Sequence, residues 1–143
     1  MDTATIDNEL EHYVGDRLAT NNREACRRLY LRAVAHCNGQ VLTDYLDNIR
    51  VHAAVYASLS HMLQLPSCHI ESPLFLSSLT LFVAGIVMMV SGEFSLLVAG
   101  GTSAAIVGMI RCGHRYIKLW VENCVREAVF LELAEALRKE SGI

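Results

Sequence analysis

The sequence predicts an all-α fold, and three features of the chain support that prediction. Apolar residues recur every three or four positions through most of the sequence, which is the spacing of one face of a helix. No segment alternates apolar and polar residues as a half-buried strand does. The two prolines, Pro66 and Pro73, both lie in one connection, so the stretches on either side are free to form uninterrupted helices.

Four amphipathic helices are predicted before the connection that contains the two prolines. Their ranges are residues 6–18, 23–37, 41–48 and 51–64. Asn38 and Gly39 follow the second helix, and a glycine after a helix is a common C-cap. The opposite face of that helix carries Arg27, Arg28 and Arg32, which we expect to be solvated rather than in contact with anionic lipid.

Two almost uncharged helices are predicted next, over residues 72–90 and 94–110. Glu93, in the turn between them, is the one charged residue from position 72 to position 110. Neither helix has a polar face for water, so the pair must be covered by protein or by lipid. An amphipathic stretch of one or two helices follows over residues 115–139. We therefore predict a bundle of seven or eight helices around a central hydrophobic helical hairpin.

Length and composition restrict the function. The chain of 143 residues is expected to form a single domain, residues 1–143. Its net charge of -3 and its scattered basic residues leave no cationic face for a phosphate backbone, so no nucleic acid partner is expected. Five irregularly spaced cysteines and an acidic N-terminal segment without a signal sequence indicate reduced thiols in an intracellular protein.

The sequence contains no enzyme motif. No grouping of serine, histidine and acid has motif support, and no glycine-rich phosphate loop follows a strand. Cys68, His69, Cys112 and His114 are the best candidates for a zinc site, but structural zinc ligands usually come in pairs two to four residues apart. We interpret them as loop residues and buried thiols, and we expect neither a cofactor nor catalysis.

A pattern in the last predicted helices resembles a known motif. WV at residues 120–121 is followed, after eight residues, by FLEL at residues 130–133. This resembles the second Bcl-2-homology segment of the Bcl-2 family of apoptosis regulators, which has Trp-Ile and then Phe-Val-Glu-Leu at the same spacing. LRAVAH at residues 31–36 is similar to the third segment (BH3), with His36 in place of an acid. The resemblance covers nearly the whole chain, and its divergence suggests a viral homologue.

The resemblance implies a protein that inhibits apoptosis without being an enzyme. Members of the family bind the amphipathic BH3 helix of pro-apoptotic relatives in a hydrophobic surface groove. By position, the expected groove residues are Val34, Leu42, Tyr45, Leu46, Tyr56, Leu59, Leu63, Ser77, Ser78, Leu79, Phe82 and Phe130. Ser77 or Ser78 stands where the family has an arginine that pairs with an aspartate of the BH3 helix. We therefore expect a narrow range of partners and binding driven by apolar burial.

The resemblance also implies a location and an assembly. A viral homologue would act in the cytoplasm of the host cell or at the mitochondrial surface, in peripheral contact with the membrane. The family's usual C-terminal anchor is not seen after residue 139, so no stable membrane anchor is expected. Self-association through an unfilled apolar groove, giving a homodimer, is a further hypothesis.

The hairpin also supports an alternative function. Residues 72–90 and 94–110 are each long enough to span a bilayer, and Gly101, Ala105 and Gly108 would provide a small-residue packing face. The alternative is a small membrane protein with a two-helix transmembrane hairpin. We prefer the buried hairpin, because each amphipathic helix has an apolar stripe that needs an apolar surface to pack against.

Overall fold

The computed structural model describes residues 2–140, and these are almost entirely helical. The elements are α1 (Thr3–Ala19), α2 (Asn22–His36), α3 (Gln40–Met62), a short 3-10 helix (Pro66–Cys68), α4 (Glu71–Val90) and α5 (Leu96–Glu140). Residues 2–140 contain no strand. The prediction of an all-α fold is confirmed.

The described residues form five α-helices where the sequence predicts seven or eight, because two pairs of predicted helices are continuous. α3 runs through the predicted break, where Ile49 is fully buried and no proline or glycine interrupts the helix. α5 likewise runs through Gly113. A glycine inside a helix costs only about 1 kcal/mol relative to alanine, and no proline follows Pro73 to end the helix. The predicted bundle of seven or eight helices is therefore not confirmed.

Local signals mark the start of α2 and two changes of chain direction. Asn21 Oδ1 accepts a hydrogen bond from the Glu24 backbone N–H at 2.9 Å, which makes Asn21 the N-cap of α2. Gly39, between α2 and α3, has a φ of 60°, and Gly92, between α4 and α5, has a φ of 87°. Both values lie in the left-handed region that favours glycine, so both connections depend on that residue type.

The contacts of the chain divide it into two compact units. The first, which we call the helical unit, comprises residues 2–61 and 124–140. The second, the hairpin unit, comprises Met62–Asn123. Helix α5 contributes residues to both. The prediction that residues 1–143 form a single domain remains a prediction.

The hydrophobic core lies in the helical unit. α1, α2, α3 and the C-terminal part of α5 all contribute to it. Its largest fully buried side chains are Leu10, Tyr13, Leu29, Ile49 and Leu133. These residues lie on the apolar stripes of the amphipathic helices, so the stripes of the helical unit cover one another.

Ion pairs join the helices of this unit at its surface. Arg32 Nε lies 2.9 Å from Glu9 Oε2, and Arg32 Nη1 lies 2.8 Å from Asp16 Oδ2. Arg17 Nε lies 2.9 Å from Glu132 Oε2, which connects α1 to α5. The Arg32 guanidinium is the largest cause holding the pKa of Asp16 below its usual range. The basic face of α2 is therefore partly neutralised by carboxylates of α1.

The hairpin unit contains an antiparallel pair of helices, α4 and residues 96–123 of α5. Near the start of α4, the Phe75 ring lies 3.6 Å from the position that a Cβ of Gly113 would occupy. Near the end of α4, Gly85 lies directly against the side chain of Thr102. Because contacts later in α4 involve earlier residues of α5, the two helices run in opposite directions.

Small residues allow α4 and α5 to approach closely. Ser78 Oγ lies 2.9 Å from the Cβ position of Gly108, and Ala105 is buried. Gly101, which the sequence placed on the same packing face, has open space beside its Cα. The packing face therefore includes Ala105 and Gly108 but not Gly101.

The hairpin is far more exposed than a central core would be. In the most apolar 18-residue windows of α4 and α5, only 6% and 11% of the residues are buried. Glu71 and Gly85 are the buried residues of α4. The expected hairpin sheathed by the other helices is not confirmed, since the amphipathic helices bury their stripes in the core of the helical unit.

Candidate functional site

The outer surface of the hairpin unit is apolar. Large exposed hydrophobic side chains follow the whole of α4 and the first part of α5. They are Leu74, Phe75, Leu76, Leu79, Leu81, Val83, Ile86, Val87, Met88 and Val90 on α4, and Leu96, Leu97, Ile106, Val107 and Ile110 on α5. We call this set the apolar surface. Full burial of one such side chain is worth roughly 1.5–3 kcal/mol, so exposure of the whole set to water is strongly unfavourable.

α4 and α5 are both long and apolar enough to cross a membrane, judged by length and composition. α4 has 20 residues and therefore rises about 30 Å, which is the thickness of a typical hydrocarbon core. The core helix of a water-soluble protein has a similar length and composition, but it is mostly buried. Exposure is thus the property that separates α4 from a core helix.

Five hydroxyl groups of the hairpin unit donate hydrogen bonds to backbone carbonyls of the preceding helical turn. Ser77, Thr80 and Ser91 donate to the carbonyl oxygens four residues earlier, at 2.9, 2.9 and 2.8 Å. Thr102 and Ser103 do the same in α5, at 2.7 and 2.9 Å. These bonds satisfy the hydroxyl donors without water. A helix with this arrangement tolerates an environment that offers no hydrogen-bond partners.

Charged side chains gather at one end of the hairpin. Arg115 Nε lies 3.1 Å from Oε1 of the buried Glu71, at the start of α4. Arg111 and Lys118 are exposed on the same stretch of α5. The turn at the other end carries Glu93. The apolar surface therefore lies between a cationic end and a turn with one anionic residue.

The twelve residues predicted to line a groove belong to both units. Seven lie in the helical unit, Val34, Leu42, Tyr45, Leu46, Tyr56, Leu59 and Phe130, and five in the hairpin unit, Leu63, Ser77, Ser78, Leu79 and Phe82. Leu79 belongs to the apolar surface, and the Ser77 hydroxyl is hydrogen-bonded in its own helix. A groove that combines residues of both units remains a prediction.

Three of the groove residues in the helical unit belong to its hydrophobic core or pack against it. Tyr45 and Phe130 are buried in the core. The Tyr56 ring packs against Phe130 with ring centroids 5.8 Å apart, and its hydroxyl donates to Asp7 Oδ1 at 2.6 Å. That hydrogen bond is the largest cause raising the pKa of Tyr56, whereas burial raises the pKa of Tyr45. Tyr45, Tyr56 and Phe130 thus help to hold the helical unit together.

Leu42 and Leu46 line an open cavity of about 690 Å³ in the helical unit. Its other lining residues are Tyr30, Thr43, Asp44, Asp47, Arg50, Leu137 and Glu140. Arg50 Nη2 lies 2.6 Å from Asp47 Oδ1, while Arg50 Nε is buried without a hydrogen-bond partner. The cavity therefore combines leucine side chains with acidic residues and one guanidinium that has an unused donor.

The candidate zinc ligands of the sequence do not form a metal site in the described part of the chain. His69 packs edge-on against Tyr116 with ring centroids 5.6 Å apart, and Cys68 is exposed. Within residues 2–140, no group of three or more His, Cys, Asp or Glu side chains could hold a metal ion.

Several features of these sites were missed by sequence reasoning. The pairing of Glu71 with Arg115 and the cavity beside Tyr30 depend on contacts between helices, which spacing alone does not reveal. The intrahelical bonds of Ser77 and Thr80 had a signal in the sequence, because serine and threonine inside an apolar helix commonly bond to the preceding turn.

Comparison with known protein families, with curated proteins and with solved structures found no match to the chain. Its function is inferred from the geometry of the two units.

Proposed function

We propose that this chain is a membrane protein whose hairpin unit spans a bilayer as two helices. The observation that carries the proposal is the exposure of α4, where 6% of the most apolar window is buried. Lipid acyl chains would cover the apolar surface and remove the cost of hydrating it. The intrahelical hydrogen bonds of Ser77, Thr80 and Thr102 support the same proposal, since they need no water.

The helical unit has the properties of a water-exposed domain. Its core is formed by its own amphipathic helices, and its surface carries ion pairs such as Arg32 with Asp16. A two-helix hairpin returns the chain to the side of the membrane from which it entered. Residues 2–61 and 124–140 would therefore lie in the same aqueous compartment.

Fractionation of cells that express the chain tests the membrane proposal. We expect the chain in the membrane fraction, resistant to alkaline carbonate and released by detergent. The double substitution Leu81→Arg and Val83→Arg places two charges near the middle of α4, where each costs about 2.5–3.5 kcal/mol in a bilayer. It should therefore abolish membrane retention.

A matched control places the same charges on the helical unit. Val41 and Val55 are exposed apolar residues of α3, and Val41→Arg with Val55→Arg should leave membrane retention unchanged. A soluble, monodisperse preparation of the unsubstituted chain in the absence of detergent would overturn the proposal.

The cavity of the helical unit favours a second candidate function, derived from the resemblance to the Bcl-2 family. In this proposal the helical unit inhibits apoptosis by binding the BH3 helix of a pro-apoptotic relative, at the mitochondrial surface of a host cell. Leu42, Leu46 and Leu137 would contact the apolar anchors of the incoming helix. Arg50, which lines the cavity, would pair through its guanidinium with the aspartate of that helix, since Ser77 and Ser78 carry no charge for that role.

Calorimetric titration of the detergent-solubilised chain with a panel of BH3 peptides tests this second proposal. Leu42→Glu should weaken binding at least tenfold, whereas Leu18→Glu, at an exposed leucine of α1, should not. Arg50→Gln should weaken binding of a peptide that carries the aspartate and leave unchanged the binding of its asparagine analogue. Absence of binding by every peptide would overturn the proposal.

A further inference from the structure

We propose that Arg111, Arg115 and Lys118 form a binding surface for the phosphate groups of anionic lipids. This inference rests on the proposed membrane function and names the lipid class that the cationic end of the hairpin would contact. The three side chains follow one another at intervals of four and three residues, so they project from the same face of α5. All three are exposed.

The cations of this surface are available to an external anion. Arg111 and Lys118 have no carboxylate partner among the described residues. Arg115 pairs with Glu71 through its Nε at 3.1 Å, but its side chain remains 73% exposed and a guanidinium has four further N–H donors. Glu122, one turn beyond Lys118, is the next acidic residue along α5.

The arginines of α2 differ from this surface in their partners. Arg28 Nη1 lies 3.1 Å from Asp16 Oδ1, and Arg32 bonds both Glu9 and Asp16. Their charge is largely neutralised within the helical unit. A basic face is therefore present in both units. The cations on the face of α2 are paired with carboxylates, whereas most of the cations on the face of α5 are not.

The surface lies along α5 at the end of the apolar part of the hairpin. Arg115 lies beside Glu71, at the point where the apolar part of α4 begins. From Arg111 to Lys118 the helix rises about 10 Å, which exceeds the roughly 5–8 Å that the polar region adds on each side of the hydrocarbon core. Arg111 lies nearest the apolar surface, and its long side chain would extend toward the headgroups.

Charge complementarity selects an anionic lipid as the partner. A zwitterionic lipid offers a phosphate together with a cationic group, and the latter would be repelled by three neighbouring cations. The headgroup of an anionic lipid contains a phosphate and keeps a net negative charge. Arginine and lysine near a membrane surface each favour anionic lipid by about fivefold in association constant.

The single tryptophan, Trp120, provides the readout because it follows Lys118 by two residues. The full chain is reconstituted into phosphatidylcholine vesicles that contain a trace of either dansyl-labelled phosphatidylserine or dansyl-labelled phosphatidylcholine. Energy transfer from Trp120 to dansyl reports the lipid that resides beside the surface. We expect severalfold greater transfer to the serine lipid, and we expect this preference to decrease at high ionic strength.

The test variant is Arg111→Gln with Lys118→Gln, which leaves the pair of Glu71 and Arg115 intact. It should reduce the preference for the anionic lipid about fivefold or more. The control, Arg27→Gln with Lys139→Gln, removes two exposed cations of the helical unit and should keep the preference. Equal loss in both variants, or no preference in the unsubstituted chain, would overturn the inference.

Two further arms separate this inference from related explanations. Inorganic phosphate, added at constant ionic strength, should leave the preference for the anionic lipid unchanged. Loss of that preference would indicate a site for free anions and would overturn the lipid proposal. Each variant is also extracted with alkaline carbonate. A chain that resists extraction but shows no lipid preference contradicts this inference alone, whereas a chain that is extracted contradicts the membrane proposal and this inference with it.

Discussion

Gly85 on α4 and Thr102 on α5 lie so close together that no side chain fits between them. A Cβ at residue 85 would overlap Thr102 Oγ1 and would lie 3.1 Å from Thr102 Cβ. Thr102 is itself fixed, because its hydroxyl donates to the carbonyl of Val98 at 2.7 Å. This contact therefore limits the distance between the two helices of the hairpin.

Gly85→Ala is expected to destabilise the hairpin, because the new methyl group forces the helices apart. Overpacking of this kind costs about 1–3 kcal/mol. Gly100→Ala is the matched control, since Gly100 has open space beside its Cα and alanine favours a helix by up to about 1 kcal/mol. Unfolding in sodium dodecyl sulfate, monitored by circular dichroism, measures the effect of each substitution on stability. Equal effects of the two substitutions would contradict this packing.

Leu131 and Leu133, two residues apart in α5, should respond very differently to truncation. Leu133 is 0% exposed in the core of the helical unit, whereas Leu131 is 52% exposed. Leu133→Ala should reduce the free energy of unfolding by about 2–5 kcal/mol, because it leaves a cavity. Leu131→Ala should cost less than about 1 kcal/mol. Urea unfolding in mild detergent provides the comparison, and similar costs would show that the two residues are equally buried.

The helical unit should lose stability in acid. Arg32 lowers the pKa of Asp16 in the folded chain. A carboxyl group with a lowered folded pKa contributes stability above its unfolded pKa, and this contribution is lost as the pH falls through the folded pKa. We therefore expect the urea midpoint to decrease below about pH 4.

Asp16→Asn should make that decrease smaller, since the titrating group is removed. Asp44→Asn changes an exposed carboxyl group of α3 without an ion pair to arginine and serves as the control. Circular dichroism at a series of pH values measures the midpoints. An unchanged acid dependence in Asp16→Asn would show that other carboxyl groups carry the effect.

The distribution of charge on the hairpin predicts its orientation in a membrane. Segments rich in lysine and arginine remain on the cytoplasmic side, so the end with Arg111, Arg115 and Lys118 should face the cytoplasm. In intact cells, a membrane-impermeant maleimide should label Ser91→Cys, in the turn, but not Cys68, which is exposed near the cationic end. Cys68 should react only after permeabilisation. Peptide mapping distinguishes the two sites, and the reverse pattern would show the opposite orientation.

The all-α fold and the hairpin turn at Gly92 could be predicted because they depend on local signals. The continuity of α3 could not, since a buried Ile49 at the predicted break becomes apparent only when the core is assembled. Periodicity identified the apolar face of each helix but not the surface that covers it. For the same reason, the sequence could not show that α4 is exposed while Leu29 and Leu133 are buried.

The helical unit is assembled from two segments that the hairpin unit separates in the chain. Arg17 and Glu132, which form an ion pair, are 115 positions apart. During synthesis on the ribosome, α4 and the first part of α5 emerge before residues 124–140 do. Under the proposed membrane function, insertion of the hairpin would then precede completion of the core, and the last segment would dock onto α1, α2 and α3 as a late step.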